Sequence, residues 1–292
     1  SFTFAAVAEA ALWTGYRPHF IDIDPKTWQP SIASAQSVLK YKRDQVAGIL
    51  LANAFGVGNP SIDAWEALAA EWDLPIVIDS AAGFGSKYSD GERVGGRANC
   101  EIFSFHVTKP FALGEGGALA SHDFGLVERA RQFQNFGFNE SRECTHLGMN
   151  GKMQEINAAI GLRQLFGFER RLTTRRNVYE CYRGAFGPIG VEFQPNAEIS
   201  SLCFASIACS TPEQKNAIMG ALRSRAIQAR DYYNPPLHLQ PFFTANLEQV
   251  GKTDLRMTED LCSRIISLPV HDDMANESVE RVIAAVLEGG AR

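Results

Sequence analysis

Two periodicities alternate along this chain. Short apolar runs stand at residues 46–53, 74–79, 102–105 and 117–121. Between and before them lie stretches with apolar residues at helical spacing, at 5–13, 32–41, 61–72 and 123–135. The run Leu74-Pro75-Ile76-Val77-Ile78 has no polar interruption, which reads as a strand covered on both faces. Strands that alternate with helices in this way predict a mainly parallel sheet with helices on both sides. Residues 1–4 and 17–24 read as further strands of the same layer, with Gly15 closing the helix between them and Pro25 ending the second. Ser61 stands where it would cap the helix that follows it, and Pro212 sits in the first turn of another at 211–224. A long helical pattern runs through 153–166 and 169–186, with a kink expected at Gly167. Beyond it the order changes to a strand at 202–209, the helix at 211–224, a strand at 267–270 and a closing helix at 277–287. The pattern predicts a large sheet domain over 1–175 and a small α+β domain over 176–292, joined inside the long helix near Arg175. The polar, glycine-rich stretch 142–151 reads as a mobile loop.

Candidate chemistry gathers on one stretch, Glu101-Ile102-Phe103-Ser104-Phe105-His106-Val107-Thr108-Lys109-Pro110, followed by Gly114-Glu115-Gly116-Gly117. Pro110 biases Lys109 away from helix, so the lysine sits on a bend past a strand end. The glycines let backbone pass close to something bulky. A lysine in such an apolar pocket is partly desolvated, which makes its amine a better nucleophile, suited to Schiff-base formation. The alternative is an ordinary surface lysine on a turn. Asp79 weighs against that alternative, because it closes a buried strand and ligands collect at the carboxyl ends of such strands. A lysine that forms a Schiff base and a carboxylate that can face a pyridinium nitrogen are the pair a pyridoxal phosphate site needs. As a plain structural residue, Asp79 would only cap a turn.

Composition narrows the classes. The chain has 292 residues, 45% hydrophobic, enough for one large core or two unequal ones. Its 33 acidic and 28 basic residues leave a net charge of −5 with no basic stripe, so nucleic acid is not an expected partner. The six cysteines form no CxxC pair and no zinc spacing, so no metal is expected, and reduced thiols in a cytoplasmic protein are the simplest account. No signal peptide is visible and no apolar run approaches a membrane span.

Ser104-Phe105-His106-Val107-Thr108-Lys109 with Gly114-Glu115-Gly116-Gly117 resembles the pyridoxal-lysine signature of the DegT/DnrJ/EryC1/StrS family of nucleotide-sugar aminotransferases. Gly148-Met149-Asn150-Gly151-Lys152-Met153-Gln154-Glu155 resembles the family's dimer-crossing motif. Asp79-Ser80-Ala81-Ala82-Gly83-Phe84-Gly85 resembles its Asp-x-Ala-x-Ala-x-Gly segment, with Ala82 where many members carry Gln or His. The stretch 230–238 resembles R-x-Y-Y-x-P-L-H with one extra proline. The resemblance implies an α/β fold of pyridoxal type I, with a seven-stranded, mostly parallel sheet and a small α+β C-terminal domain. It implies pyridoxal 5'-phosphate as cofactor, a nucleotide-linked keto sugar as substrate, and L-glutamate giving 2-oxoglutarate as the donor couple. By the same resemblance Lys109 is catalytic, Asp79 faces the ring nitrogen, Ser104 bonds the phosphate and Phe4 stacks on the ring. Lys152 would reach the neighbouring site of a homodimer with shared active sites. It also implies an N-terminal phosphate-gripping segment ahead of Ser1. For Phe4 the residues alone leave ordinary core packing open, and for Lys152 a solvated surface lysine. Two further readings of the whole are a pyridoxal enzyme acting on a non-sugar ketone and a non-catalytic scaffold.

Overall fold

The computed structural model describes residues 1–246 and 250–291. In chain order the first elements are α1 (Ala5–Trp13), β1 (His19–Phe20), β2 (Ile23–Asp24), β3 (Gln29–Pro30), α2 (Ile32–Lys42), β4 (Ile49–Ala52) and α3 (Ile62–Glu71). Then come β5 (Ile76–Asp79), β6 (Cys100–Ser104), β7 (Gly117–Ala120), α4 (Phe124–Gln134), α5 (Glu155–Leu165) and α6 (Phe168–Phe186). The principal sheet runs β4-β5-β6-β7, parallel across the first three, with β7 antiparallel at the edge. Its register aligns Ala52 with Asp79 and Asp79 with Ile102, so the ends of β4 and β5 lie side by side and β6 runs two residues beyond them.

Four strands stand in this sheet among the described residues, not the seven expected. The stretch 17–24 is one reason. Its apolar pattern suits a strand, but the chain turns aside at Asp22, whose N–H donates to Ser34 Oγ at 3.0 Å while its carbonyl accepts from Ser31 N–H at 2.9 Å. β1 then pairs with β10 (Gly251–Lys252) and β2 with β3, both outside the principal sheet. Residues 1–4, also read as strand, pair with no other strand. The two-faced cover expected of the sheet is also uneven. Leu51, Ile76 and Ile78 are sealed, while Leu50 and Ile102, pointing the other way, are 47% and 41% exposed.

The first core lies under the sealed face, where Trp65 and Leu68 of α3 and Leu39 of α2 meet Leu51, Ile76, Ile78 and Phe103. The second belongs to the C-terminal half: β8 (Glu192–Phe193), β9 (Ala205–Ala208), α7 (Pro212–Ser224), a short α8 (Pro241–Ala245), β10, α9 (Arg256–Arg264), β11 (Ile265–Leu268) and α10 (Asn276–Gly290). Here β11-β9-β8 form an antiparallel sheet, and Ile207 and Ile266 pack with Ile218 of α7 and Val282 of α10. Helix α6 serves both cores, sending Leu172 into the first and Val178, Tyr182 and Phe186 into the second. Between them the buried Arg175 guanidinium meets the Asp272 carboxylate and the carbonyls of Leu202 and Val270 at 3.0 and 3.1 Å. A buried charge is tolerated when its donors are filled in this way.

Side chains cap α2, α4 and α7 but not α3. Ser31, Asp123 and Thr211 accept from the N–H three residues on, at 3.3, 3.1 and 3.2 Å. Ser61 stands at the cap position of α3 but its side chain accepts no capping hydrogen bond. At Gly167, φ is +83°, and the expected kink is instead a full break between α5 and α6.

Candidate active site

β5 delivers Asp79 and β6 delivers Ser104 to the carboxyl edge of the sheet, and the chain past β6 folds back as a closed loop. Leu113 N–H donates to Phe105 O at 3.0 Å, Phe105 N–H to Gly116 O at 2.8 Å, and Lys109 N–H to His106 O at 2.9 Å. A Cβ on Gly117 would stand 2.7 Å from Phe103 O, so this close return requires glycine. Beneath the loop lies an aromatic base. Phe111 sits 4.6 Å from Phe84, 5.0 Å from Phe105 and 5.3 Å from Phe168, measured between ring centroids. Phe105 and Phe111 flank Lys109 in sequence, so edge-to-face packing of their rings fixes the bend that carries the lysine. Lys109 is half-buried, and its side chain makes no hydrogen bond or ion pair among the described residues.

Asp79 is half-buried too. Burial pushes its carboxyl above the ordinary range, against the Ala81 N–H that donates to it at 2.9 Å and the nearby Lys109 ammonium. The pair expected from sequence is therefore brought together in space. Ser104 lies at the end of β6, and its hydroxyl accepts from His106 N–H at 3.3 Å. His106 Nδ1 meets Thr108 Oγ1 at 2.8 Å, and its Nε2 stands 3.5 Å from Glu115.

Two residues that sequence reasoning did not place join them from the C-terminal half. Cys203 is buried with Sγ 3.9 Å from Thr108 O; burial raises its thiol, while Lys109 and Arg175 pull it down. Tyr233 stacks on Phe55 at 5.2 Å with planes 4° apart. Its phenol is held protonated by burial and then by the charge of Asp79. Tyr233 lay inside the stretch 230–238 already singled out, but nothing in its spacing pointed at Asp79. Cys203 gave no signal beyond being a cysteine.

The remaining two expected residues stand differently. Phe4 caps α1 and is 62% exposed, and the ring that packs on Phe55 and Tyr233 is that of Phe2, at 5.4 and 5.5 Å. Lys152 is exposed, with Nζ 2.5 Å from Asn150 Oδ1 and 4.2 Å above the Phe136 ring. Among the described residues it touches neither Asp79, Ser104 nor Lys109. The segment around it, expected as a mobile loop, is tied by bridges pairing Asn135 with Asn150 and Phe138 with Cys144. Among the described residues no His, Cys, Asp or Glu cluster is arranged to hold a metal ion, and no helix is long and apolar enough to cross a membrane.

A second close approach shapes the floor. Gly56 has φ +84°, and a Cβ there would stand 2.1 Å from Ala82 O. The backbone following β4 therefore lies directly against the turn following Asp79. Such a floor, a carboxylate at a buried strand end and a facing amine fit a flat cofactor with a basic ring nitrogen and an aldehyde. Asp79 would hold the nitrogen and Lys109 the aldehyde carbon.

Comparison with known proteins gives the same reading. The chain is 64% identical to protein Rv3402c of Mycobacterium tuberculosis, over all of this chain and 71% of that one. It is 27% identical to dTDP-4-amino-4,6-dideoxy-D-glucose transaminase of Shigella dysenteriae, covering 98% of this chain and 77% of the other. A solved Bacillus cereus structure assigned as a PLP-dependent aminotransferase superposes with a TM-score of 0.89 at 32% identity, over 98% of this chain and 77% of that one. The family model for DegT/DnrJ/EryC1/StrS aminotransferases matches residues 1–287, so the chain belongs to that family, as a pyridoxal phosphate-dependent transaminase with the α/β fold of its members.

Proposed function

We propose that the chain transfers an amino group to the keto carbon of a nucleotide-linked sugar, with L-glutamate as donor and 2-oxoglutarate as its product. The observation that carries this is that Lys109, on the loop past β6, lies near enough to Asp79 at the end of β5 for its charge to act on that carboxyl. The substrate class is supported by the Shigella relative, whose name is that of a dTDP-sugar transaminase. Bound pyridoxal phosphate supplies an electron sink for the bonds at the amino-bearing carbon. Asp79 keeps a proton on the ring nitrogen. Lys109 would take the proton from the amino-bearing carbon and return it to the former aldehyde carbon of the cofactor, on the other side of the nitrogen. Ser104 donates its hydroxyl hydrogen to a phosphate oxygen, Phe4 lies against the ring, and the aromatic base under the loop keeps water out. The large unit is read as 1–175 and the small one as 176–292, in a cytoplasmic enzyme. The test is a screen of nucleotide-linked keto sugars with L-glutamate, following 2-oxoglutarate release. Turnover with at least one such sugar is expected; turnover confined to simple 2-oxo acids would overturn the substrate class.

The phosphate dianion calls for a cation, and the loop around Lys109 offers hydroxyls and glycines. Lys152 of a second subunit fills that need in a C2 homodimer with two shared sites. Mixing inactive Lys109→Ala and Lys152→Ala proteins under subunit exchange is expected to restore activity toward roughly a quarter of wild type, since each heterodimer then holds one intact site. Proven exchange without recovery, or an active Lys152→Ala protein, would remove Lys152 from the site.

A further inference from the structure

Glu101 is a carboxylate on β6 with 0% exposure. Burying a charge is costly unless donors converge on it. Here Ser80 Oγ donates at 2.7 Å, Gly95 N–H at 2.8 Å and Arg97 N–H at 3.0 Å. Ser80 in turn accepts from Asn53 Nδ2 at 2.8 Å, and Asn53 Oδ1 accepts from Asn59 N–H at 2.9 Å. Every proton in this chain has one direction, ending on Glu101. The chain runs from the residues just past the ends of β4 and β5 to the second residue of β6.

What it fastens is the residue next to Asp79. Ser80 is held at its N–H by Ile102 O (2.9 Å), at its carbonyl by Gly83 N–H (2.7 Å), and at its hydroxyl by Asn53 and Glu101. The Asn53 N–H also holds the Asp79 carbonyl at 2.9 Å. Among the described residues the Asp79 carboxylate itself receives one hydrogen bond, that of Ala81 N–H. Its place is thus set mainly by how its neighbours are gripped. Apolar packing of similar volume would join the strands as well or better, so a buried carboxylate here answers a demand for orientation.

We infer that Glu101 and Ser80 are positioning residues that fix where the Asp79 carboxylate stands, without touching cofactor or substrate. This rests on the reading of Asp79 as partner of the ring nitrogen. A displacement of about 1 Å at such a group costs roughly a hundredfold in rate.

The experiment uses Ser80→Ala and Glu101→Gln, with Asp79→Asn as reference. Three quantities are measured besides turnover: the Asp79 carboxyl titration by carbon NMR in protein freed of cofactor, pyridoxal phosphate affinity by equilibrium dialysis, and the thermal midpoint. Both variants are expected to shift the Asp79 titration, weaken cofactor binding, and lower kcat roughly ten- to a hundredfold, with KM for the amino donor within about twofold. A lowered thermal midpoint with unchanged titration and unchanged affinity would overturn the proposal and leave Glu101 a scaffold residue. Should Glu101→Gln fail to fold, Ser80→Ala decides alone, since it leaves Glu101 its two backbone donors. An impaired Asp79→Asn beside an intact Ser80→Ala removes the positioning role only. An unimpaired Asp79→Asn removes the reading of Asp79 itself and the proposal with it.

Discussion

Lys109→Ala is expected to lower transamination by roughly 10⁴-fold or more, since it removes both the covalent anchor and the proton carrier. The visible absorbance of the lysine-linked cofactor should vanish with it. The fold should survive: the Lys109 side chain is half-buried and joins no hydrogen bond or ion pair among the described residues, and the loop is held by Phe105, Phe111 and backbone bonds. The thermal midpoint of the cofactor-free protein therefore stays near wild type. Lys109→Arg should not rescue, because a guanidinium does not give up its proton in the working range. Steady turnover by Lys109→Ala without added amine would remove Lys109 from the chemistry.

Asp79→Asn should lose activity and gain stability at once. In the loaded enzyme it replaces the charge partner of the ring nitrogen with a neutral amide, a loss of roughly 10²- to 10³-fold. In the cofactor-free protein the sign reverses. Burial raises the folded-state pKa of Asp79 above its ordinary value of 3.8, so the native chain binds this proton more tightly than the unfolded one. Stability therefore falls as pH rises from the ordinary value through the folded-state value, and the deficit persists at neutral pH. Asparagine carries no charge and no such deficit, and its amide oxygen still accepts from Ala81 N–H. Thermal midpoints of the cofactor-free proteins should coincide near pH 4 and diverge at pH 7, with the variant higher. Equal midpoints at both pH values would show that Asp79 bears no desolvation strain.

The parts of the site that were legible in the sequence are local. Asp79 ends an apolar run, and Lys109 follows another and precedes a proline and glycines, so each strand end and bend announced itself. The break at Gly167 was visible as a glycine but not as a left-handed residue, and a kink was expected. The stretch 17–24 shows what hydrophobic pattern misses. Its apolar residues suit a strand, but hydrogen bonds at Asp22 to Ser31 and Ser34 divert the chain. Cys203 and Tyr233 come to Lys109 and Asp79 only because β9 and the segment ahead of α8 pack back on the sheet edge. No spacing along the chain encodes that distance. Phe4 stands exposed ahead of α1, while Phe2, Phe55 and Tyr233 pack on one another, a cluster that no local pattern announces.

The contact between Gly56 and the Ala82 carbonyl bears on how this pocket can evolve. It is main chain against main chain, so it restricts the residue at 56 and not the half-buried side chain at 81. That side chain can change while the path of the backbone, and Asp79 with it, stays where it is. Position 56 has no such freedom. A lineage that lost its glycine would have to re-route the turn after β5 before it could change what it binds.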